Sequence, residues 1–204
     1  VDLIDGFRNF DWLNVGAAGD VNADGFDDFL LGVCGGGGSL QGVTYLIYGS
    51  DRLPASIVVQ ENPALPDGIV RIVGEGSMEQ AGRPGPAGDF NQDGFADFVI
   101  GAPGYQVFMV ETGNVFLVFG GESLPGRIDL RSLGGRGIKI RGRNVHGGAG
   151  FFAGPFGDLN GDRLPDFAFS ENGLVDGQPG YVYVIYSPYS GASFVRGDSN
   201  GDGT

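Results

Sequence analysis

Three segments of this chain align with one another without gaps: GDVNADGFDDFLLG (Gly19 to Gly32), GDFNQDGFADFVIG (Gly88 to Gly101) and GDLNGDRLPDFAFS (Gly157 to Ser170). Their leading aspartates, Asp20, Asp89 and Asp158, are 69 residues apart both times. A fixed period marks a repeat architecture, in which each unit buries its apolar face against the next. Each acidic segment is followed by an apolar run, GVTYLIYG from Gly42, GNVFLVFG from Gly113 and GYVYVIYS from Gly180, and these read as buried strands. A further run, IVRIVG from Ile69 and GIKIRG from Gly137, precedes the second and third acidic segments and also reads as a strand.

Each unit is therefore expected to hold a short glycine-rich strand, an acidic loop, and strands such as Phe26 to Leu31, Thr44 to Tyr48 and Val70 to Val73. Four antiparallel strands per unit is the build of a propeller blade. The predicted fold is all-β, with three four-stranded blades over residues 1–187 and a linker with a partial loop over 188–204. The connections Asp51 to Pro66 and Glu122 to Leu133, rich in Pro, Gly and Ser, read as loops. Glycine supplies 41 of 204 residues, which suits tight turns and short strands and not long helices.

The acidic loops carry the chemistry. In D-x-N-x-D-G-x-x-D the oxygens of positions 1, 3, 5 and 9 and the carbonyl of position 7 lie on one short curled segment. Calcium takes six to eight hard oxygen ligands in irregular geometry. Loop one offers Asp20, Asn22, Asp24 and Asp28 with the carbonyl of Phe26; loop two offers Asp89, Asn91, Asp93 and Asp97 with Phe95. Loop three offers Asp158, Asn160, Asp162 and Asp166 with Leu164. Three carboxylates in one loop repel one another, so cation binding is expected to be coupled to folding. In loop three Arg163 replaces the glycine of position 6 and Pro165 stands at position 8. A left-handed conformation at position 6 would strain Arg163, so loop three is expected to be the weakest site.

The formal charge is −13, from 25 acidic and 12 basic side chains, which disfavours a nucleic-acid partner because phosphate binding needs clustered Lys and Arg. Cys34 is the single cysteine, so no intrachain disulfide forms. Its place after a strand suggests a small buried hydrophobe rather than a reactive thiol. No apolar stretch reaches the roughly 18 residues that a membrane-spanning helix needs, and Val1 opens without a signal-peptide pattern, as a mature or trimmed chain would.

With the Gly-Asp-x-Asn-x-Asp-Gly loop, the hydrophobic strand after it and Gly101-Ala102-Pro103, the chain resembles the FG-GAP repeats of integrin α-subunit propellers and their bacterial relatives. The resemblance covers about Val1 to Ser187, and Gly-Ala-Pro survives only in repeat two. Gly32, Val33 and Cys34 stand there in repeat one, and Ser170, Glu171 and Asn172 in repeat three. The resemblance implies a ring of seven blades in integrins, and propellers generally have four to eight. Three repeats fall short of that. Val1 to Ile4 aligns with the last strand of a blade, which repeat three lacks. That segment is expected to complete a blade of another copy, or to close onto the third repeat of its own chain; the chain could equally be a fragment. Head-to-tail exchange gives rings or filaments.

The tail, FVRGDSNGDGT from Phe194, opens another D-x-N-x-D-G at Asp198, Asn200 and Asp202, out of the 69-residue register. It resembles the start of a dockerin-type calcium loop, and Arg196-Gly197-Asp198 reads as chance. His146 is the only histidine and has no nucleophile motif beside it, so catalysis is not expected. Trp12, Tyr45, Tyr181 and the phenylalanines are expected to pack between blades. The function these features favour is a secreted or cell-surface, calcium-binding structural or adhesion module that engages a protein partner or other copies of itself. The alternative is a carbohydrate-binding or hydrolase-associated propeller of a secreted enzyme.

Overall fold

The computed structural model describes residues 12–35, 40–53, 65–104, 112–172 and 179–187. Val1 to Ile4 and the tail ligands Asp198, Asn200 and Asp202 lie outside them. The fold is all-β, as expected, and consists of three sheets. The first orders β1 (Leu13–Gly19), β2 (Asp28–Val33), β3 (Val43–Ile47) and β4 (Ile69–Val73) as an antiparallel meander. The second orders β5 (Arg83–Gly88), β6 (Asp97–Ala102), β7 (Asn114–Val118) and β9 (Gly137–Arg141) in the same way. The third holds β10 (Ala153–Gly157), β11 (Asp166–Glu171) and β12 (Tyr181–Ile185), three strands among the described residues rather than four.

The expected loop from Glu122 to Leu133 is partly regular structure. Within it β8 (Arg127–Asp129) pairs in parallel with β4, and a 3₁₀ turn, Leu130–Ser132, follows. Ile128, Leu130 and Leu133 explain this, because all three are buried in the core between the first two sheets. Three residues of strand leave too little alternation to be read from sequence.

The sheets stack face to face. Leu30, Leu46, Val70 and Ile72 of the first sheet meet Phe98, Ile100, Phe116 and Val118 of the second. The opposite face of the second sheet, with Val99, Val115 and Leu117, meets Phe167 and Phe169 of the third. Tyr45 is fully buried in the first sheet, but Trp12 is 60% exposed and meets the second sheet at the surface rather than in the core. It lies with Phe151 around the Arg83 guanidinium, whose centre is 5.8 Å and 4.1 Å from the two rings.

Glycine allows the sheets to approach backbone to backbone. A Cβ on Gly32 would lie 2.2 Å from the Gly82 carbonyl oxygen, and one on Gly101 would lie 2.0 Å from that of Gly150. Both contacts join the end of a blade's second strand to the turn entering the next blade. Glycine also ends each first strand: Gly19, Gly88 and Gly157 have φ of 77°, 71° and 74°, and the strand register shifts immediately before each. That bulge, open to glycine and strained for other residues, turns the chain into the acidic loop.

The turns that enter the second and third sheets are each capped by one buried carboxylate, supplied from different places. In the first turn Glu79 accepts from the N–H groups of Glu75 (2.5 Å) and Gly76 (3.1 Å). In the second, the matching N–H groups of Arg143 and Asn144 donate to Glu171, which belongs to β11 of the third sheet. Gly147, the counterpart of Glu79, leaves the space that Glu171 fills, since a Cβ there would lie 2.4 Å from Glu171 Oε1.

Gly101→Ala is expected to lower stability by about 2–3 kcal/mol through overpacking against fixed backbone, measured as a urea midpoint. Gly154→Ala, whose Cβ would meet only the Phe152 ring at 3.6 Å, should shift it by no more than about 0.5 kcal/mol. Burial also pushes the Glu79 carboxyl above its ordinary 4.5, only partly offset by the bonds from Gly76 and Glu75. With the folded value above the unfolded one, its contribution is fully present below pH 4.5 and is lost as pH rises through the folded value. The stability of the wild type relative to Glu79→Gln should therefore fall from that pH toward neutrality. A difference that stays flat across the range would contradict this.

Candidate metal centre

The three acidic loops, each between the first and second strand of its sheet, fold alike. At position 1, Asp20, Asp89 and Asp158 each accept through Oδ1 from the N–H of position 5, at 3.0, 3.0 and 3.1 Å. Through Oδ2 they accept from the N–H of position 6, at 2.9, 3.0 and 2.8 Å. Asn22, Asn91 and Asn160 accept from the position 5 N–H and donate their amide hydrogen to the position 5 carboxylate. Asp24, Asp93 and Asp162 in turn accept from the N–H of Phe26, Phe95 and Leu164. These bonds curl each loop around its own oxygens, and in loop three Asp158 Oδ1 accepts from the Gly161 N–H as well.

Position 9 has a structural role that the ligand pattern does not reveal. Asp28, Asp97 and Asp166 are buried. Each Oδ2 takes the N–H of position 2, from Val21, Phe90 and Leu159, at 2.8, 2.9 and 2.8 Å. Each Oδ1 takes an N–H from the chain leaving the third strand: Gly49 at 2.7 Å, Gly120 at 2.9 Å and Ser187 at 3.0 Å. One carboxylate thus ties the loop to two strands.

The left-handed conformation expected at position 6 is present in all three loops, with φ of 92° at Gly25 and Gly94 and 72° at Arg163. Position 4 is left-handed too: Ala23 at 58°, Gln92 at 60° and Gly161 at 84°. Each loop therefore contains one glycine and one non-glycine residue in that region, and loop three has only exchanged their places. Arg163 adds no strain beyond that of Ala23 or Gln92, which corrects the backbone argument for a weak third site. Pro165 has a packing reason, since its side chain lies where a Cβ on Gly88 would be, at 2.8 Å.

The loops differ in what covers them. Loop one is laced to the second sheet, with the Ala96 and Gly121 N–H groups donating to the carbonyls of Asp20 and Val21. Phe90 of loop two packs edge-on against Phe167, and Ser187 Oγ donates to its carbonyl at 2.6 Å. Val21 and Phe90 are buried, whereas Leu159, at the same position of loop three, is 48% exposed.

Electrostatics follow burial. Desolvation pushes the Asp28 carboxyl up, and that of Asp97 to about 6, with the nearby charges of Asp24 and Asp20, or of Asp93, acting in the same direction. Asp158 is held below the ordinary range, first by the Arg163 N–H. Among the described residues no three acidic, His or Cys side chains converge on one point at metal-holding distance. The donors on each loop are oxygens of mixed kind, carboxylate, amide and carbonyl, in a nine-residue curl that suits a hard cation.

Asp97→Ala would remove the shared acceptor of the buried Phe90 N–H and the half-buried Asn91 and Gly120 N–H groups. It should cost about 2–3 kcal/mol even in chelator, because unpaired buried donors are expensive. Asp93→Ala, at an exposed position, should cost under about 1 kcal/mol in the same chelator denaturation series.

The FG-GAP repeat family matches residues 85–118, which run from β5 through loop two to the end of β7. Integrin alpha pat-2 of Caenorhabditis elegans is 30% identical over 173 residues, 74% of this chain and 12% of that protein. Phosphatidylinositol-glycan-specific phospholipase D of Bos taurus is 32% identical over 107 residues, 48% of this chain and 12% of that protein. The chain spans only about an eighth of the length of either relative. With its loop, its strands and these likenesses taken together, the chain belongs to the FG-GAP, integrin-α-like family.

Proposed function

We propose that the chain is an extracellular adhesion module whose blades are stiffened by calcium and which engages a protein partner or further copies of itself. The observation that carries the reading is the common fold of the three loops. In each, Asp and Asn oxygens are wrapped onto one curl beside a buried aspartate, and in the first two loops neighbouring carboxylates act with burial to push that aspartate's carboxyl up. A cation held by positions 1, 3, 5 and 9 and the position 7 carbonyl would relieve that repulsion. Likeness to an integrin α chain supports adhesion, and with it a location where calcium is abundant.

Association is supported by the third sheet. Its outer face exposes Val182 at 71% and Phe156 at 51%, while the matching face of the second sheet is covered by the third. Apolar surface of that kind suits another blade. Residues 1–4, carrying Val1, Leu3 and Ile4, have the composition of a fourth strand for the edge of β12 that no strand among the described residues pairs with. A second reading, a propeller accompanying a secreted hydrolase, is supported by the likeness to a phospholipase D.

Calorimetric titration of the chelator-stripped chain with calcium is expected to show three sites, each removed by one of Asp24→Ala, Asp93→Ala and Asp162→Ala. The site lost in Asp162→Ala should be the weakest, by about tenfold, because Leu159 is exposed among the described residues where Val21 and Phe90 are buried. Light scattering in calcium should give a multiple of the monomer mass that falls on chelation. Absence of calcium heat would overturn the cation reading. A monomer in both conditions would overturn self-association and leave the partner or hydrolase reading.

A further inference from the structure

Half of the basic residues of this acidic chain sit in one stretch. Arg127, Arg131, Arg136, Lys139, Arg141 and Arg143 are six of its 12 Lys and Arg, all exposed, with Asp129 the only acid among residues 127–143. On β9, Ile138 and Ile140 turn toward the third sheet and pack in its core. Lys139 and Arg141 therefore face the other way, toward the first sheet. There they form one wall of a cleft of about 230 Å³, whose other wall is the turn at Glu75 to Glu79.

The cleft is built from buried supports. Glu79, 7% exposed, is fixed by two turn N–H groups and by Asn114 Nδ2 at 3.1 Å. Lys139 Nζ pairs with the Glu75 carboxylate, and Arg131 donates to the Glu75 carbonyl. Arg141 donates Nε to Thr112 Oγ1 at 3.3 Å and has no carboxylate within ion-pair distance among the described residues. Among the described residues its two terminal nitrogens are left as a planar pair of donors, which matches a carboxylate.

The opposite wall restricts the choice of ligand. The Glu75 and Glu79 carboxylates accept hydrogen bonds only, so they repel a dense polyanion and favour a molecule rich in hydroxyl donors. Ser77 and Thr112 add hydroxyls. A ligand must therefore join one carboxylate to several neighbouring hydroxyl groups. The cleft is smaller than the roughly 300–1,000 Å³ of sites for drug-sized ligands, which limits it to about one ring.

We propose that this cleft binds an acidic sugar, a uronic acid unit of a glycan, with its carboxylate on Arg141 and its hydroxyls on Glu75 and Glu79. The site is independent of the calcium reading. It lies beside Asn114 at the start of β7, whereas loop two is tied to Gly120 beyond the other end of that strand.

The test is calorimetric or NMR titration of the whole chain in calcium with a galacturonic acid trisaccharide and with a glucuronic acid-containing hexasaccharide. Neutral galactose oligomers, an aspartate-rich peptide and inorganic sulfate serve as comparisons. At least one uronate probe should bind saturably, and Arg141→Gln should weaken it by at least about tenfold, as expected for a lost charge-assisted pair. Arg127→Gln, on β8 and outside the cleft, should leave binding unchanged, and all variants should keep wild-type calcium stoichiometry. The proposal is overturned if neither uronate binds below about 10 mM, or if the peptide or sulfate competes as well as the uronate. Uronate binding that ignores Arg141→Gln would overturn it as well.

Discussion

The aspartate at the ninth position of each acidic loop is the contact on which the rest of the structure depends. Asp28, Asp97 and Asp166 each receive at least one N–H from the start of their own loop and one from the chain leaving the third strand of the same sheet. Loop closure, entry into the second strand and exit from the third are thus fixed by a single buried group. Burying a carboxylate is costly, and the N–H bonds only partly offset the cost, as the raised value of Asp97 shows. The same constraint that organises the blade therefore concentrates uncompensated negative charge at its end, where a cation would be favoured.

A second constraint is distance between backbones. Blades that approach until a Cβ would fall 2.0–2.2 Å from a carbonyl oxygen can be joined only through glycine, at Gly32 and Gly101. Ser170 stands at the same position of the third sheet, and the residue after it, Glu171, turns back to cap the preceding turn instead. What reads in sequence as loss of the Gly-Ala-Pro signature is an exchange. Glu79 with Ala102 in one repeat corresponds to Gly147 with Glu171 in the next, and a buried carboxylate caps both turns.

The four-stranded meander of the first two sheets, the acidic loops between its first and second strands and the left-handed sixth position were legible from sequence, because each rests on a local pattern repeated along the chain. Strand limits moved by two residues at most, as where Asp28–Val33 stands for the expected Phe26 to Leu31. What escaped were features set by a neighbour. β8 is held by the parallel edge of β4 and by the burial of Ile128, neither of which three residues can announce. Trp12 looked like a core residue by type, yet it lies exposed over Arg83. The basic cleft draws on two sheets, and its residues, Glu75 and Arg141, are 66 positions apart in a chain whose charge as a whole is acidic.

The third loop separates these two kinds of information most clearly. Its internal hydrogen bonds match those of the first two within a few tenths of an ångström, although Arg163 and Pro165 break the motif. Local sequence therefore suffices to shape the curl, and the exchange of glycine between positions 4 and 6 shows how it tolerates variation. Cover is another matter: Val21 and Phe90 are buried by the blade that follows, while Leu159 is not. In a stacked array the shape of a site belongs to its own repeat and its dielectric surroundings to the next one. Three loops of one shape can therefore differ in affinity without any difference in their ligands.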